Sequence, residues 1–167
     1  MGTVYQTPDD QIFAMTVADE VGFALENRGI EASVVKEKVK EVLARTGLDG
    51  MEERSIHALS GGQRQAATLI MATLTPIEFL ILDEHTAALD PKTADIIMEL
   101  TNKVVQEKHL TAMMVTHNLR YAVEYGSRLI MMDKGHIVLD KAGEEKVNTK
   151  VDDILDIFTK ISIECGN

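Results

Sequence analysis

Residues 79–91 decide the fold, and they read Phe79-Leu80-Ile81-Leu82-Asp83-Glu84-His85-Thr86-Ala87-Ala88-Leu89-Asp90-Pro91. The first four residues form a continuous apolar run ending in two acids, which is typical of a strand buried on both faces. Asp90 and Pro91 then start a helix, because aspartate caps helices and proline suits the first helical position. A second apolar run, Ala112–Val115, predicts another buried strand. Strand, helix and strand in this order predict a parallel sheet with a right-handed crossover.

The segments on either side of this unit complete an α/β fold. Thr3–Gln6 predicts a short strand, and two amphipathic helices follow, the first opening at Thr16 and ending at Gly29 and the second ending at Gly47. Near the C-terminus two short apolar runs flank a glycine turn, which predicts a hairpin, and a last amphipathic helix begins near Thr149. We therefore expect a helical part over residues 1–75 and an α/β part over residues 76–167.

Composition narrows the class of protein. The chain has 167 residues with 45% hydrophobic and 26% charged content, which suits one soluble globular domain. No apolar run is long enough to span a bilayer and no leader opens the chain, and the single cysteine, Cys165, suits a reducing cytosol as an inert thiol. A net charge of −10 and only 4% aromatic residues argue against a nucleic-acid partner.

The first motif is Leu59-Ser60-Gly61-Gly62-Gln63, directly before a helical pattern. Two adjacent glycines allow close backbone approach to an anion, and the helix N-terminus favours negative charge. The motif therefore indicates phosphate binding. The alternative is that Ser60 and Gln63 form only a capping box, since their spacing fits that pattern by itself.

The second motif is the pair of acids at the end of the first buried strand, the edge where parallel sheets bind ligands. Asp83 could hold Mg²⁺ through water, and Glu84 could orient or deprotonate an attacking water. The alternative is an ordinary acidic strand end before a turn.

The third motif is His117, which follows the second buried strand and precedes Asn118, a helix cap. Because parallel strands end at one edge, we expect His117 on the same edge as the two acids, where it could sense a γ-phosphate. The alternative is a structural histidine that helps to cap the next helix. The other four histidines show no metal-ligand spacing.

Together, in order and spacing, the motifs resemble those of the ATP-binding subunits of ABC transporters. Leu59–Gln63 resembles the signature, Leu80–Glu84 the Walker B motif, Ala88–Asp90 the D-loop and His117 the switch histidine. Gln6 resembles the Q-loop glutamine that reaches Mg²⁺ and the attacking water. The resemblance covers most of residues 3–140 and implies a P-loop NTPase fold.

The resemblance also implies cofactors, partners and a place in the cell. The family binds ATP and Mg²⁺ in a head-to-tail dimer, so Ser60, Gly61 and Gly62 would contact the γ-phosphate of ATP held by a second ATP-binding subunit. Gln63 and Asp90 are predicted to bind ATP with them, and Glu84 would be the catalytic base. The helices between Q-loop and signature would dock on membrane-spanning transporter subunits, which places the protein at the inner face of the cell membrane.

The chain departs from the family pattern in three places. Position 85 is histidine where the family usually has proline, and position 88 is alanine where serine is common. None of the 11 glycines is followed by lysine, so the phosphate-binding GxxxxGK[ST] loop, Walker A, is absent. We therefore expect a fragment that neither binds ATP tightly nor hydrolyses it alone, and whose sheet has an open edge beside Walker B that favours self-association.

Two further hypotheses follow from these features. The N-terminal third resembles the cobalt and vitamin-uptake type of the family and the remainder an amino-acid-uptake type, which is compatible with a chimera. The missing phosphate loop is also compatible with a non-catalytic scaffold or interaction module that retains part of the fold.

Overall fold

The computed structural model describes residues 1–164, with side chains described as far as residue 160. The contacts divide the chain into two compact units, Met1–Val115 and Thr116–Asn167. The predicted division near residue 75 separates the chain by type of secondary structure, and it stays a prediction. Cys165 lies outside the described residues.

Seven helices and five strands are described, together with two short 3-10 turns at Pro8–Asp10 and Ile56–Ala58. The helices are α1 Val17–Glu26, α2 Ala32–Arg45, α3 Gly61–Leu74, α4 Pro91–Glu107, α5 Leu119–Glu124, α6 Gly143–Val147 and α7 Val151–Glu164. The strands are β1 Gly2–Val4, β2 Phe79–Asp83, β3 Thr111–Val115, β4 Arg128–Asp133 and β5 His136–Ala142.

The first unit is built on a three-stranded parallel sheet in the order β1-β2-β3. The chain passes from β1 to β2 through the helices α1, α2 and α3, and from β2 to β3 through α4. Leu80 and Leu82 of β2 are buried with Val4 of β1 and Leu69 of α3 in one apolar cluster. The predicted α/β fold with a parallel sheet is confirmed.

A second apolar cluster joins the three helices that precede β2. Val21 and Leu25 of α1 pack with Val39 and Leu43 of α2, as the helical spacing predicts, and Ile70 of α3 joins them. The Thr16 hydroxyl accepts a hydrogen bond from the Asp19 N–H at 3.2 Å, which confirms the predicted cap of α1.

Strand β3 is not buried, and the prediction of a second buried strand is wrong. Met113 and Val115 are each 48% exposed. The physical reason is the cover on its faces: β1 is also an edge strand but packs against α3, whereas the main described contacts of β3 are with β2. Among the described strands the open edges of the sheet lie at β1 and β3, and β2, which ends in the two acids, is paired on both sides.

The second unit contains the predicted hairpin. Strands β4 and β5 pair antiparallel through Lys134 and Gly135, whose φ values of +46° and +82° suit a two-residue hairpin turn. Helix α7 packs on α5, with Ile154 buried.

Candidate functional site

Strand β2 delivers two acidic side chains to the carboxyl edge of the sheet. Asp83 is the last residue of β2, pairs with Val115 of β3 and is exposed. Glu84 follows it and is half-buried. Parallel sheets bind ligands at this edge, so both carboxylates lie where a ligand site is expected.

Glu84 has a backbone conformation that is unusual for a residue with a side chain. Its φ is +46°, in the left-handed region that costs a non-glycine residue about 1–2 kcal/mol. Its N–H donates to the Val115 carbonyl at 2.9 Å, and its carbonyl accepts from the Ala87 N–H at 2.9 Å. These hydrogen bonds close a tight turn after the sheet and hold Glu84 in place. Strained residues held in this way cluster at functional sites.

His85 is the residue of this turn that enters the core. It is 2% exposed, and its Nε2 lies 3.2 Å from Thr101 Oγ1 of α4. The Thr101 hydroxyl donates to the Ile97 carbonyl at 2.7 Å, so it accepts from a protonated Nε2 of His85. Burial lowers the pKa of His85 from 6.5 to about 4, so the ring is neutral near pH 7. His85 therefore anchors the turn that carries Glu84, a structural role that the sequence did not indicate.

Helix α3 begins with the capping box that the sequence left open as an alternative. The Ser60 hydroxyl accepts from the Gln63 N–H at 3.3 Å, and Gln63 Oε1 accepts from the Ser60 N–H at 3.0 Å. The capping box uses only two of the amides at this end. By helix geometry the N–H groups of Gly61 and Gly62 have no acceptor within α3, so capping and anion binding are compatible here.

The N-termini of α3 and α4 lie side by side. Gly62 is so close to Thr93 of α4 that a Cβ at position 62 would overlap the Thr93 methyl group, and a Cβ at Gly61 would lie 3.3 Å from Leu89 Cδ2. Asp90 caps α4, and its Oδ1 accepts from the Thr93 N–H at 3.1 Å. Hydrogen bonds from Thr93 lower the pKa of Asp90 and keep it ionised. The structure thus brings the loop of Ser60, Gly61 and Gly62 close to the start of α4, which Asp90 caps.

Gln6 lies two residues beyond β1 and is exposed. Because β1 is parallel to β2, Gln6 lies at the same edge of the sheet as the two acids. The segment is fixed to α3 by two side chains that sequence reasoning missed. Gln65 Nε2 donates to the Tyr5 carbonyl at 3.1 Å, and Arg64 Nε lies 3.2 Å from Asp9 Oδ1.

His117 belongs to the second compact unit and is exposed. It directly precedes Asn118, whose Oδ1 accepts from the N–H groups of Arg120 and Tyr121 at 3.1 and 3.3 Å. Asn118 therefore caps α5, as predicted, and His117 is not needed for that purpose.

The acidic edge fits Mg²⁺ bound chiefly by phosphates. In the part of the chain with described side chains, no three histidine, cysteine or acidic residues cluster as metal ligands. Magnesium is commonly held by one or two carboxylates together with substrate phosphates and water. Asp83 can supply the carboxylate of such a site.

An apolar surface adjoins the Gln6 segment. Phe13 and Phe23 stack edge to face with ring centroids 4.3 Å apart, and they are 57% and 40% exposed. Phe23 also lines a shallow depression with Thr3, Gln11, Ala24, Thr68, Met71 and Ala72.

Across the described residues, none of the helices has the length and apolar character required to cross a membrane.

Comparisons with known proteins agree on the family. Residues 1–87 match the family described as ABC transporter. Over 153 residues the chain is 44% identical to the tyrosine transport ATP-binding protein of Clostridioides difficile strain R20291, covering 87% of this chain and 61% of that protein. Over 138 residues it is 37% identical to the energy-coupling factor transporter ATP-binding protein EcfA1 of Latilactobacillus sakei, covering 83% of this chain and 49% of that protein.

A solved structure also supports this family. CbiO1 from Clostridium perfringens, described as part of the ABC transporter complex CbiONQ, matches with a TM-score of 0.79 at 27% identity, over 97% of this chain and 62% of that one. The chain belongs to the ABC transporter family. More particularly, it corresponds to part of the ATP-binding proteins of that family, and both the predicted family and the predicted fold class are confirmed. The chain spans about half to three-fifths of the length of these relatives.

Proposed function

We propose that this chain is part of the ATP-hydrolysing subunit of an ABC transporter, to which it contributes the signature, the Walker B acids and the switch histidine. The observation that carries the proposal is the close approach of two helix N-termini at Gly62 and Thr93, one capped by Ser60 and the other by Asp90. The amides of Gly61 and Gly62, which the capping box leaves unused at the start of α3, favour a bound phosphate.

The signature loop acts on a nucleotide held by a second ATP-binding subunit in a head-to-tail dimer. The Ser60 hydroxyl and the amides of Gly61 and Gly62 donate hydrogen bonds to its γ-phosphate. Gln63 holds Ser60 in position through the capping box. Asp90 keeps the start of α4, and with it Thr93, against this loop.

The acidic edge acts on ATP held by the polypeptide that supplies Walker A. Asp83 holds Mg²⁺ through water, and bound Mg²⁺ supplies positive charge to the phosphates. Glu84 accepts a proton from the attacking water, which Gln6 helps to orient, and His117 donates a hydrogen bond to the γ-phosphate. The strained turn at Glu84 supports this role, because two backbone hydrogen bonds hold this residue directly after the sheet in a conformation typical of functional sites.

Membrane-spanning subunits of the transporter dock on the apolar surface beside Gln6. Exposed Phe13 and Phe23 supply aromatic area of the kind enriched at interfaces, and the depression beside Phe23 can receive a side chain. Gln65 and Arg64 connect this surface to α3, which begins at the signature. We therefore also propose that the protein lies on the cytoplasmic side of the membrane.

The Walker A loop must come from another segment or subunit, since residues 1–167 contain no Gly-Lys pair. The isolated chain should therefore neither bind ATP at micromolar concentration nor hydrolyse it. Titration calorimetry of the chain with MgATP checks this expectation. Micromolar binding by the chain alone would contradict the proposed need for an external Walker A.

The decisive experiment mixes this chain with a family subunit that has an intact Walker A but an inactivated signature. We expect ATPase activity from the mixture and none from either component. Replacing Ser60 by aspartate in this chain should abolish the rescue, because aspartate still caps α3 but repels a phosphate. Its free energy of unfolding should stay within about 0.5 kcal/mol of wild type, since both residues are good caps.

The matched control is Thr16→Asp, which likewise replaces a hydroxyl cap by aspartate, but at α1. This position is distant in sequence from the signature loop. The Thr16→Asp chain should rescue activity as wild type does. If the wild-type chain gives no rescue, the catalytic proposal fails and the non-catalytic scaffold becomes the better description. Equal rescue by the Ser60→Asp chain would show that the signature does not contact phosphate.

A further inference from the structure

A cationic groove lies on the first unit, away from the signature loop. Its floor is apolar and its volume is about 70 Å³, enough for one aliphatic side chain. The residues of the floor come from α2, α3 and α4, and they are Val42, Ile70, Leu74, Leu100 and Val104.

The rim of this groove is positively charged in a chain that is otherwise acidic. Arg45, Lys103 and Lys108 line it together with a single acid, Glu107. Glu107 lies 2.7 Å from Arg45 and 4.0 Å from Lys103, and Arg45 also lies 4.0 Å from Glu41, so these two acids leave the three cations with a positive excess of one. Burial, and then repulsion from Arg45 and Lys38, lowers the pKa of Lys108. The groove therefore favours an acidic occupant with an apolar anchor.

The groove is separate from the proposed nucleotide surface. Ser60 caps the start of α3, whereas Ile70 and Leu74 lie in its last turns. At about 1.5 Å per residue, roughly 15–20 Å of helix separates the two ends. An occupant of the groove therefore leaves the signature loop accessible.

Helix α7 has the complementary character. Its Ile154 is buried within the second unit, but Leu155 and Phe158 are each 46% exposed and lie one turn apart. Asp152 and Asp156 are exposed on the same helix, one turn apart from each other. The helix thus presents two apolar side chains beside two carboxylates.

We infer that the groove of one copy binds α7 of a second copy, with Leu155 on the apolar floor and Asp152 and Asp156 beside Lys103 and Arg45. Two copies that each carry a charge of −10 repel one another, and a local contact of opposite charge such as this one reduces that repulsion where the copies meet. Two such contacts, one in each direction, would hold the proposed dimer together. The contact goes beyond the proposed ATPase role and does not depend on it.

Sedimentation velocity over a concentration series at low ionic strength tests the dimer. The wild-type chain should associate, and added salt should weaken the association because the paired groups are exposed. Lys103→Glu and Asp156→Lys should each weaken association about tenfold or more, since each turns two attractions per dimer into repulsions. The matched control is Lys40→Glu, which makes the same charge change on α2 at a residue that does not line the groove.

The sharpest measurement is a mixture of the two single variants. A dimer of one Lys103→Glu chain with one Asp156→Lys chain contains one native pair and one reversed pair, both attractive. The mixture should therefore associate about as strongly as wild type, although neither variant does so alone. Circular dichroism checks that each variant is folded.

Three outcomes would overturn the inference. The first is a wild-type chain that stays monomeric at every concentration. The second is a dimer that neither charge reversal weakens, since association then uses another surface. The third is recovery in the Lys103→Glu/Asp156→Lys double variant without recovery in the mixture, since the helix then binds within its own chain.

Discussion

Gly62 shows how one missing side chain sets the geometry of the candidate site. Alanine at this position would place a Cβ against the Thr93 methyl group and push α3 away from α4. We expect Gly62→Ala to lower the free energy of unfolding by about 1–3 kcal/mol, as overpacking does, despite the higher helix propensity of alanine. Urea unfolding monitored by circular dichroism measures the change.

Two companion variants isolate the cause. Thr93→Ser removes only the methyl group, so the Gly62→Ala/Thr93→Ser chain should recover most of the lost stability. Gly61→Ala should be nearly neutral, because its Cβ meets only the mobile end of Leu89 at 3.3 Å. A double variant as unstable as Gly62→Ala would show that this contact is not the source of the effect.

His85 should make the stability of the protein depend on pH. Its pKa is about 4 in the folded chain and 6.5 when unperturbed, so the unfolded chain binds the proton more readily. The stabilisation is complete above about pH 6.5 and is lost as the pH falls toward 4. Between pH 7 and pH 5 the loss should be about 2 kcal/mol. Urea unfolding across this range should show the slope in wild type and lose that part of it in His85→Gln.

At the scale of elements, the helix starts could be predicted because their signals are local. Thr16, Ser60, Asp90 and Asn118 each accept a hydrogen bond from an amide two or three residues ahead. Both partners of such a bond lie in one short stretch of sequence, so the pattern contains the whole interaction. The hairpin turn at Gly135 was predicted for the same reason.

The supports of the candidate site could not be predicted, because their partners are distant along the chain. Gln65 reaches Tyr5 across 60 residues, and His85 reaches Thr101 across 16. No periodicity or motif indicates such pairs. The motif residues themselves were found from the sequence, and what the structure adds is the packing that holds them.

Strand β3 illustrates the other limit of sequence reasoning. Its apolar run predicted burial, but burial of a strand depends on the helices that cover its faces, and the main described contacts of β3 are with β2 alone. We therefore expect Met113→Lys to change the free energy of unfolding by less than about 0.5 kcal/mol, as at other exposed positions. Met98→Lys is the control, since Met98 is 2% exposed and a charge there should unfold the chain. A Met113→Lys chain as unstable as the control would contradict the exposed position of β3.

At the scale of the whole molecule, the apolar clusters are distributed unevenly. Both clusters are built entirely from residues before Val115, so the first compact unit contains its own core. In the second unit, among side chains described, only Tyr121, Leu129 and Ile154 are buried and apolar. A unit of 52 residues, which is 167 minus 115, is close to the lower limit for independent folding even with a full core.

These facts predict how the molecule responds to division after Val115. The chain 1–115 should fold alone, because its parallel sheet, its two apolar clusters and the capped helices α1, α3 and α4 are all retained. Its urea transition should be sigmoidal, with a helical circular dichroism spectrum in buffer. The chain 116–167 should show neither, since three buried apolar side chains cannot offset the entropy of ordering its backbone. A cooperative transition in 116–167, or its absence in 1–115, would show that the stability of this protein does not follow from where its apolar clusters lie.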